Sequence, residues 1–278
     1  MTDETRVRCN ICPHLCNIKE GNIGICGART NRKGKIVAEN YGKITSIALD
    51  PIEKKPLRRF QRGSNILSVG SYGCNLRCSF CQNYSISMEG KNRDYIAVSP
   101  SDLVKKAKEY VPRGNIGVAY TYNEPLIGYE FVMDCSKLIA EMGLKNVVVT
   151  NGFINQEPLE ELLPYIHAFN IDLKSFSQEF YKKIGGDLEV VKRSIGLASK
   201  KSHVEVTTLI IAGENDSEDE MRDLTKWLAS IDRKIPLHIS RFFPAYKMSD
   251  KYPTPISTIV KLTEIARESL DYVYAGNV

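Results

Sequence analysis

The chain is predicted to fold as an α/β protein, a partial (β/α)6-type TIM-like barrel carrying a small Cys-rich N-terminal segment. Three observations lead there. From residue 65 onward, apolar β-branched runs alternate with amphipathic helical stretches, the order expected of βα units on a parallel sheet. At 278 residues, 42% hydrophobic and 26% charged, the chain can bury a sizeable core. Seven of its eight cysteines fall in two tight clusters, at 9, 12, 16 and 26 and at 74, 78 and 81. Such spacings suit metal better than a distributed disulfide framework in a chain of this size.

Taken in order, residues 1–34 are rich in Cys, Asn and Gly without lasting periodicity, and read as a loop-rich metal knuckle. Residues 35–65 read as short extended segments leading into the barrel. The expected division is thus a Cys-rich knuckle and lead-in over 1–64 and the barrel over 65–278. Strands are predicted at NILSVG (65–70), IGVAYT (116–121), NVVVT (146–150), AFNIDL (168–173), HVEVTTLII (203–211), PLHIS (236–240) and YVYAG (272–276). Among the helices between them, Ser99 caps one with Asp102 in its first turn. Gly143 ends the helix of YEFVMDCSKLIAEMG, and NDSEDEMRDLTKWLASI opens on an acidic turn. A doubly wound sheet is the alternative closure. Residues 243–255 form a long polar loop, of a length that often carries function. Cys135, on an apolar helix face, reads as a buried thiol. The basic run EKKPLRRFQR (53–62) reads as solvated surface, or else as a docking patch for an acidic partner.

No window approaches the roughly 18 uninterrupted apolar residues of a membrane span, and the opening MTDETRVRCN lacks the apolar segment of a secretory signal. A cytoplasmic protein without a membrane partner is expected. The net charge of +5, from 38 basic and 33 acidic side chains, is too small to point to nucleic acid.

In a parallel barrel, catalytic groups gather in the loops after the C-terminal ends of the strands. That rule collects Cys74, Cys78 and Cys81, then Asn123 and Glu124, Thr150 and Asn151, Asp172 and Lys174, and His238. Each has a plainer reading on its own. Glu124 can flank a helix N-cap, Asn151 can be a turn residue before Gly152, Asp172 and Lys174 an ordinary ion pair, and His238 a satisfied core histidine. The C-x3-C-x2-C thiolates suit a four-iron cluster with one iron left open, or a zinc site one ligand short. Cys9, Cys12, Cys16 and Cys26, spaced C-x2-C-x3-C-x9-C with His14 beside them, suit a closed structural zinc site, a second iron–sulfur cluster, or thiols without metal.

Cys74, Cys78 and Cys81, with Phe80 before the last of them, resemble the signature of the radical S-adenosylmethionine enzymes. CPHLC, PIEKKPL, SVGSYGCNLRCSFCQN, YTYNEP, TNGF, DLKSF and HISRFFP extend the resemblance over nearly the whole chain. They are similar to enzymes of the pyruvate formate-lyase activating type, and within these to the AmmeMemoRadiSam-system subgroup. The resemblance implies an oxidoreductase whose Cys74, Cys78 and Cys81 hold a four-iron four-sulfur (4Fe-4S) cluster. The open iron would chelate S-adenosylmethionine, one electron would cleave its S–C5′ bond, and the 5′-deoxyadenosyl radical would abstract a hydrogen atom. It implies a ferredoxin or flavodoxin as electron donor. It also implies that Phe80 sets backbone against adenine, that Tyr122, Asn123 and Glu124 meet the methionine amino group, and that Asn151, Asp172, Lys174 and His238 line the cofactor pocket. Two departures stand out. Tyr122 and Asn123 replace paired glycines, and Val149 stands where activating enzymes of glycyl radical proteins carry an aspartate. The substrate the resemblance suggests is a protein glycine, with a small molecule or a modified RNA base as alternatives; a non-catalytic metal-binding adaptor is the reading from another class. The resemblance further implies a cysteine pair beyond YVYAGNV, which the sequence to Val278 does not include.

Overall fold

In the computed structural model, which describes residues 6–88 and 94–278, the knuckle is built from two short hairpins. β1 (Arg6–Arg8) pairs antiparallel with β2 (Asn17–Lys19), and β3 (Arg29–Arg32) with β4 (Lys35–Ala38). β5 (Lys43–Ile44) then leads into β6 (Ser46–Pro51) and β7 (Asn65–Gly70). After α1 (Tyr84–Ser87), β8 (Ile96–Ala97) returns to pair with β5.

From β7 onward strand and helix take turns. α2 (Pro100–Glu109), β9 (Asn115–Tyr120), α3 (Tyr129–Glu141), β10 (Lys145–Thr150), α4 (Gln156–Leu162) and β11 (Ala168–Asp172) come first. α5 (Gln178–Lys183), α6 (Leu188–Ala198), β12 (His203–Ile210), α7 (Glu218–Ile231), β13 (Leu237–Arg241), α8 (Ile256–Arg267) and β14 (Val273–Gly276) complete the series. The predicted strands coincide with β7 and β9–β14 to within one or two residues. Ser99 and Asp102 form a capping box on α2, Gly143 follows α3 at a positive φ of 72°, and Ser217 caps α7 ahead of Glu218, Asp219 and Glu220.

The main sheet has the order β14-β13-β12-β11-β10-β9-β7-β6, parallel throughout except for the antiparallel β6–β7 edge. A doubly wound sheet would reverse its order at a switch point. Here each strand adds on the same side of the last, as in a barrel left open between β6 and β14. No helix among the described residues is long and apolar enough to cross a membrane.

The basic run from Glu53 to Arg62 is solvated at Lys54, Arg58, Arg59 and Arg62, as a surface reading expects, but its stem is not, because Lys55 and Leu57 are buried. Ile52 and Leu57 have no exposed surface and pack with Ile66, Ala119, Val147 and Ala168 of four adjacent strands. The alanines leave the space that the plug occupies. Backbone groups carried inside with it find partners on the strands. Asn170 Nδ2 donates to Pro56 O at 2.9 Å, and the amides of Arg58 and Arg59 donate to the Glu205 carboxylate at 3.0 and 2.7 Å. The arginine heads turn outward, Arg59 over the Tyr272 ring at 3.9 Å. The charges stay wet while the stem is buried.

Glu205 is the anchor of this floor. It also receives His203 at 2.9 Å and His238 at 2.6 Å. Burial pushes its carboxyl up, but these hydrogen bonds outweigh burial and hold it at about 2, below the ordinary 4.5. A carboxylate held down in the folded state stabilises the protein above its unfolded pKa and loses that contribution as pH falls through the folded one. Stability is therefore expected to fall between about pH 4.5 and about pH 2. Glu205→Gln should cost about 3 kcal/mol at neutral pH and flatten that fall, as read from urea unfolding at a series of pH values. An unchanged acid limb in the variant would show that other carboxylates govern it.

Candidate active site

At the C-terminal ends of the strands lies a cavity of about 350 Å³. Its walls include Cys74, Cys78 and Cys81 from the loop after β7, Tyr122, Asn123 and Glu124 from the loop after β9, Asn151 after β10, and Asp172 and Lys174 at the end of β11. Phe80 also lines it and packs on Phe180 at 5.9 Å. Val149 gives the wall an apolar patch.

The cysteine loop has no regular structure, so its backbone is held from outside. Gly73 N donates to Ile86 O at 2.9 Å, Cys74 N to Cys26 O at 3.1 Å, and Arg77 N to Ile184 O at 2.8 Å. Gly73 has a φ of 89°, and a Cβ there would lie 2.6 Å from Cys26 O, so only glycine fits. From the far side Lys247 N donates to Ser79 O at 3.0 Å, and Tyr246 stacks on Tyr84 at 4.7 Å. These two contacts bring the 243–255 loop against the cysteines.

Asn123 is a clamp. Its Oδ1 accepts from Ser71 N at 3.0 Å, and its Nδ2 donates to the carbonyls of Tyr72, Gly73 and Glu124 at 3.2, 3.2 and 3.1 Å. Asn151 does similar work, donating to Asn75 Oδ1 at 2.9 Å and to Cys74 Sγ at 3.6 Å while accepting from Phe153 N at 2.8 Å. Tyr122 adopts a left-handed φ of 72°, which is strained for a tyrosine. Its hydroxyl donates to Asp50 at 2.9 Å, and Asp50 also pairs with Lys55 at 2.9 Å. Where glycines would have been free, the tyrosine ties the site to the edge strand β6.

Glu124 caps the 3-10 turn Pro125–Gly128, accepting from Leu126 N at 3.0 Å, and it also accepts from Thr150 Oγ1 at 2.7 Å and Asn151 N at 2.8 Å. Both readings of this residue hold at once, a cap and a cavity carboxyl. Burial pushes it up to about 7 against those hydrogen bonds. Lys174 reaches Asp172 at 2.6 Å. Burial pulls its ammonium down, but Asp172 and Cys78 more than offset this and raise it.

Burial pushes the Cys74 thiol up and lifts Cys78 to about 11, against the pull of Lys174. Buried neutral thiols lined up on a cavity suit a metal group that displaces their protons. Leu76 N, 3.4 Å from Cys74 Sγ, and the Asn151 amide supply the N–H donors that a bound thiolate needs. The donor set therefore fits an iron–sulfur cluster. Among the described residues no group of three or more His, Cys, Asp or Glu side chains stands in metal-ligand geometry.

His238 stands apart from the cavity. It bonds Glu205 and stacks on Tyr274 at 5.3 Å inside the barrel, one strand register below the cavity residue Ser240. Its plainer reading as a satisfied core histidine is the one its contacts match. The sequence did not mark Lys54, Lys55, Asn83, Thr207, Ser240 or Asn277, which also line the cavity. Lys54 and Lys55, Asn83 and Ser240 lie in the segments PIEKKPL, SVGSYGCNLRCSFCQN and HISRFFP, but it is the curvature of the sheet that collects all six.

Residues 68–228 match the radical SAM superfamily. An uncharacterized protein of Methanocaldococcus jannaschii is 43% identical over 99% of this chain and 83% of its own length. The pyruvate formate-lyase-activating enzyme of Clostridium pasteurianum is 28% identical over 57% of this chain and 67% of its own. A domain of pyruvate formate-lyase-activating enzyme from Bacteroides vulgatus superposes with a TM-score of 0.51 at 19% identity, covering 58% of this chain and 98% of that domain, a likeness of fold.

Asn123→Ala should destabilise the protein by about 3 kcal/mol in urea unfolding, since several buried backbone groups lose their partner together. A loss below about 0.5 kcal/mol, the usual limit for surface changes, would mean that the clamp is dispensable and that Asn123 serves only the cavity.

Proposed function

The chain belongs to the radical SAM superfamily, and we propose that Cys74, Cys78 and Cys81 hold its four-iron cluster while Glu124, Asn151, Asp172 and Lys174 receive S-adenosylmethionine beside it. What carries this reading is that all seven side chains share one cavity. A cluster and S-adenosylmethionine bound there supply one electron and a 5′-deoxyadenosyl radical that takes a hydrogen atom from the substrate.

The residues have separable tasks in this reading. The Leu76 amide and Asn151 donate to the Cys74 sulfur, and the Lys174 ammonium offsets the charge of Cys78. Glu124 is fixed by three donors, two on Oε1 and one on Oε2, so the one lone-pair site left, on Oε2, holds one direction for an incoming ammonium group. Phe80, Val149 and Leu209 keep apolar surface against the reacting region. Tyr122 and Asn123 set the backbone of the loop that presents Glu124.

We infer further that the hydrogen donor is a glycine of another polypeptide. Similarity to the pyruvate formate-lyase-activating enzyme supports this, and so does the shape of the cavity. Its wall reaches both edges of the open sheet, with Lys54 and Lys55 after β6 and Asn277 after β14. Deuterium entering 5′-deoxyadenosine from proteins labelled at glycine Cα, and not from the small-molecule fraction of the same cells, would support it; the reverse pattern would replace it with a small-molecule substrate.

Cys78→Ala should abolish 5′-deoxyadenosine formation by the anaerobically reconstituted, dithionite-reduced protein while leaving its melting transition in place, because the loop is at the barrel mouth. Retained 5′-deoxyadenosine would sink the cluster assignment. Glu124→Gln should keep the iron content and weaken S-adenosylmethionine binding by at least about tenfold, the usual scale of one charge-assisted hydrogen bond. Equal affinities in calorimetry would reduce Glu124 to a cap.

A further inference from the structure

The cluster reading leaves the N-terminal cysteines unused, yet they are assembled. Cys9 N donates to Cys16 O at 2.9 Å where β1 and β2 part, and Leu15 N donates to Cys12 O at 3.1 Å in the turn between. The stretch from Gly24 to Ala28 carries Cys26 to the same place, where Cys9 and Cys26 act electrostatically on Cys12. Cys9, Cys12 and Cys26 are buried. Gly24 lets the chain close over Cys16, since a Cβ there would lie 3.5 Å from its Sγ and 3.1 Å from Ile18 Cδ1.

Every one of the buried sulfurs is met by N–H groups. Cys12 receives the His14 amide and the Asn75 side chain, and Cys26 the amides of Ala28 and Arg29. The buried Arg29 guanidinium, forked onto Glu130 at 2.6 and 2.8 Å and donating to Ile127 O at 3.0 Å, acts on Cys9, while its Nε is left without a hydrogen-bond partner. The amide two residues on that serves Cys12 and Cys26 is the same device that Leu76 provides at Cys74. Such donors stabilise thiolates, not neutral thiols. His14 is not free to ligate through Nε2, which bonds Asn75 O at 2.7 Å.

We propose that Cys9, Cys12, Cys16 and Cys26 bind one zinc ion as a closed four-thiolate site, and that this site latches the Cys74–Cys81 loop in its working position. A single ion would draw these four thiols together, and it would supply the folding free energy that a segment of short hairpins lacks. The latch consists of contacts that cross from knuckle to loop. Cys26 O accepts from Cys74 N at 3.1 Å, Asn75 O from His14 at 2.7 Å, and Ile25 O from Arg77. Asn155 secures the knuckle from the β10 side, its N donating to Ile11 O at 3.0 Å and its side chain to Asn10 O at 2.7 Å. Zinc binding stands independently, while the latch rests on the radical SAM reading.

The test is metal counting and X-ray absorption on protein purified anaerobically from cells, with hydrogen exchange of residues 73–78 measured on the same holoenzyme. Expected are about one zinc in a four-sulfur shell and, after reconstitution, about four irons. Cys16→Ser should lose the zinc and speed exchange in 73–78 by tenfold or more. His14→Phe keeps the ring packed on Phe153 and removes only the bond to Asn75. It should keep the zinc and still speed that exchange several-fold, a readout available even if Cys16→Ser does not fold. About eight irons in the parent, or neither metal at the knuckle, overturns the zinc site. Zinc present with exchange unchanged in both variants overturns the latch. Zinc present without any reconstituted iron leaves the site standing and removes the cluster reading instead.

Discussion

An irregular loop buried at a barrel mouth cannot satisfy its own backbone, so everything around the site depends on partners brought from elsewhere in the chain. The loop of Cys74, Cys78 and Cys81 takes them from five directions: Cys26 of the knuckle, Ile86 after the loop, Ile184 after α5, the Asn123 side chain after β9, and Lys247 of the 243–255 loop. None of these contacts is local to the motif. Three thiols at fixed spacing become a site because separate elements hold one stretch of backbone still, and pre-organisation of this kind is what a reactive constellation requires.

The same economy governs the barrel interior. A parallel barrel normally fills its interior with its own strand side chains. Here Ala119 and Ala168 leave a gap, and the lead-in inserts Ile52 and Leu57 into it. The insertion carries peptide groups indoors, and Asn170 and Glu205 are the strand residues that receive them. Glu205 in turn needs His203 and His238. The polar floor is a consequence of the plug, which explains why a histidine on the sixth strand of the βα series belongs to structure and not to the cavity.

The departures at Tyr122 and Val149 change the walls of the cavity more than its centre. Tyr122, strained at a φ of 72°, spends its side chain on Asp50 and Lys55 at the open edge of the sheet. Val149 presents a methyl surface. Both line the same cavity as Glu124, Asn151, Asp172 and Lys174.

Much of this was legible in the sequence. The strand runs, the Ser99–Asp102 cap, the gathering of Glu124, Asn151, Asp172 and Lys174 with the cysteines, and the separate thiol cluster at residues 9–26 all follow from local pattern, because β-branched runs, capping side chains and ligand spacing act over a few residues. Tertiary structure alone decided three things. It turned the stem of EKKPLRRFQR inward at Leu57 while the arginine heads stay in water, because small strand residues far along the chain leave space for it. It made Asn123 a clamp, because only the folded loop brings Ser71, Tyr72 and Gly73 within its reach. It withdrew His238 from the cavity, because His238 sits two residues deeper along β13 than the cavity residue Ser240, and at that depth the neighbour waiting for an imidazole is Glu205.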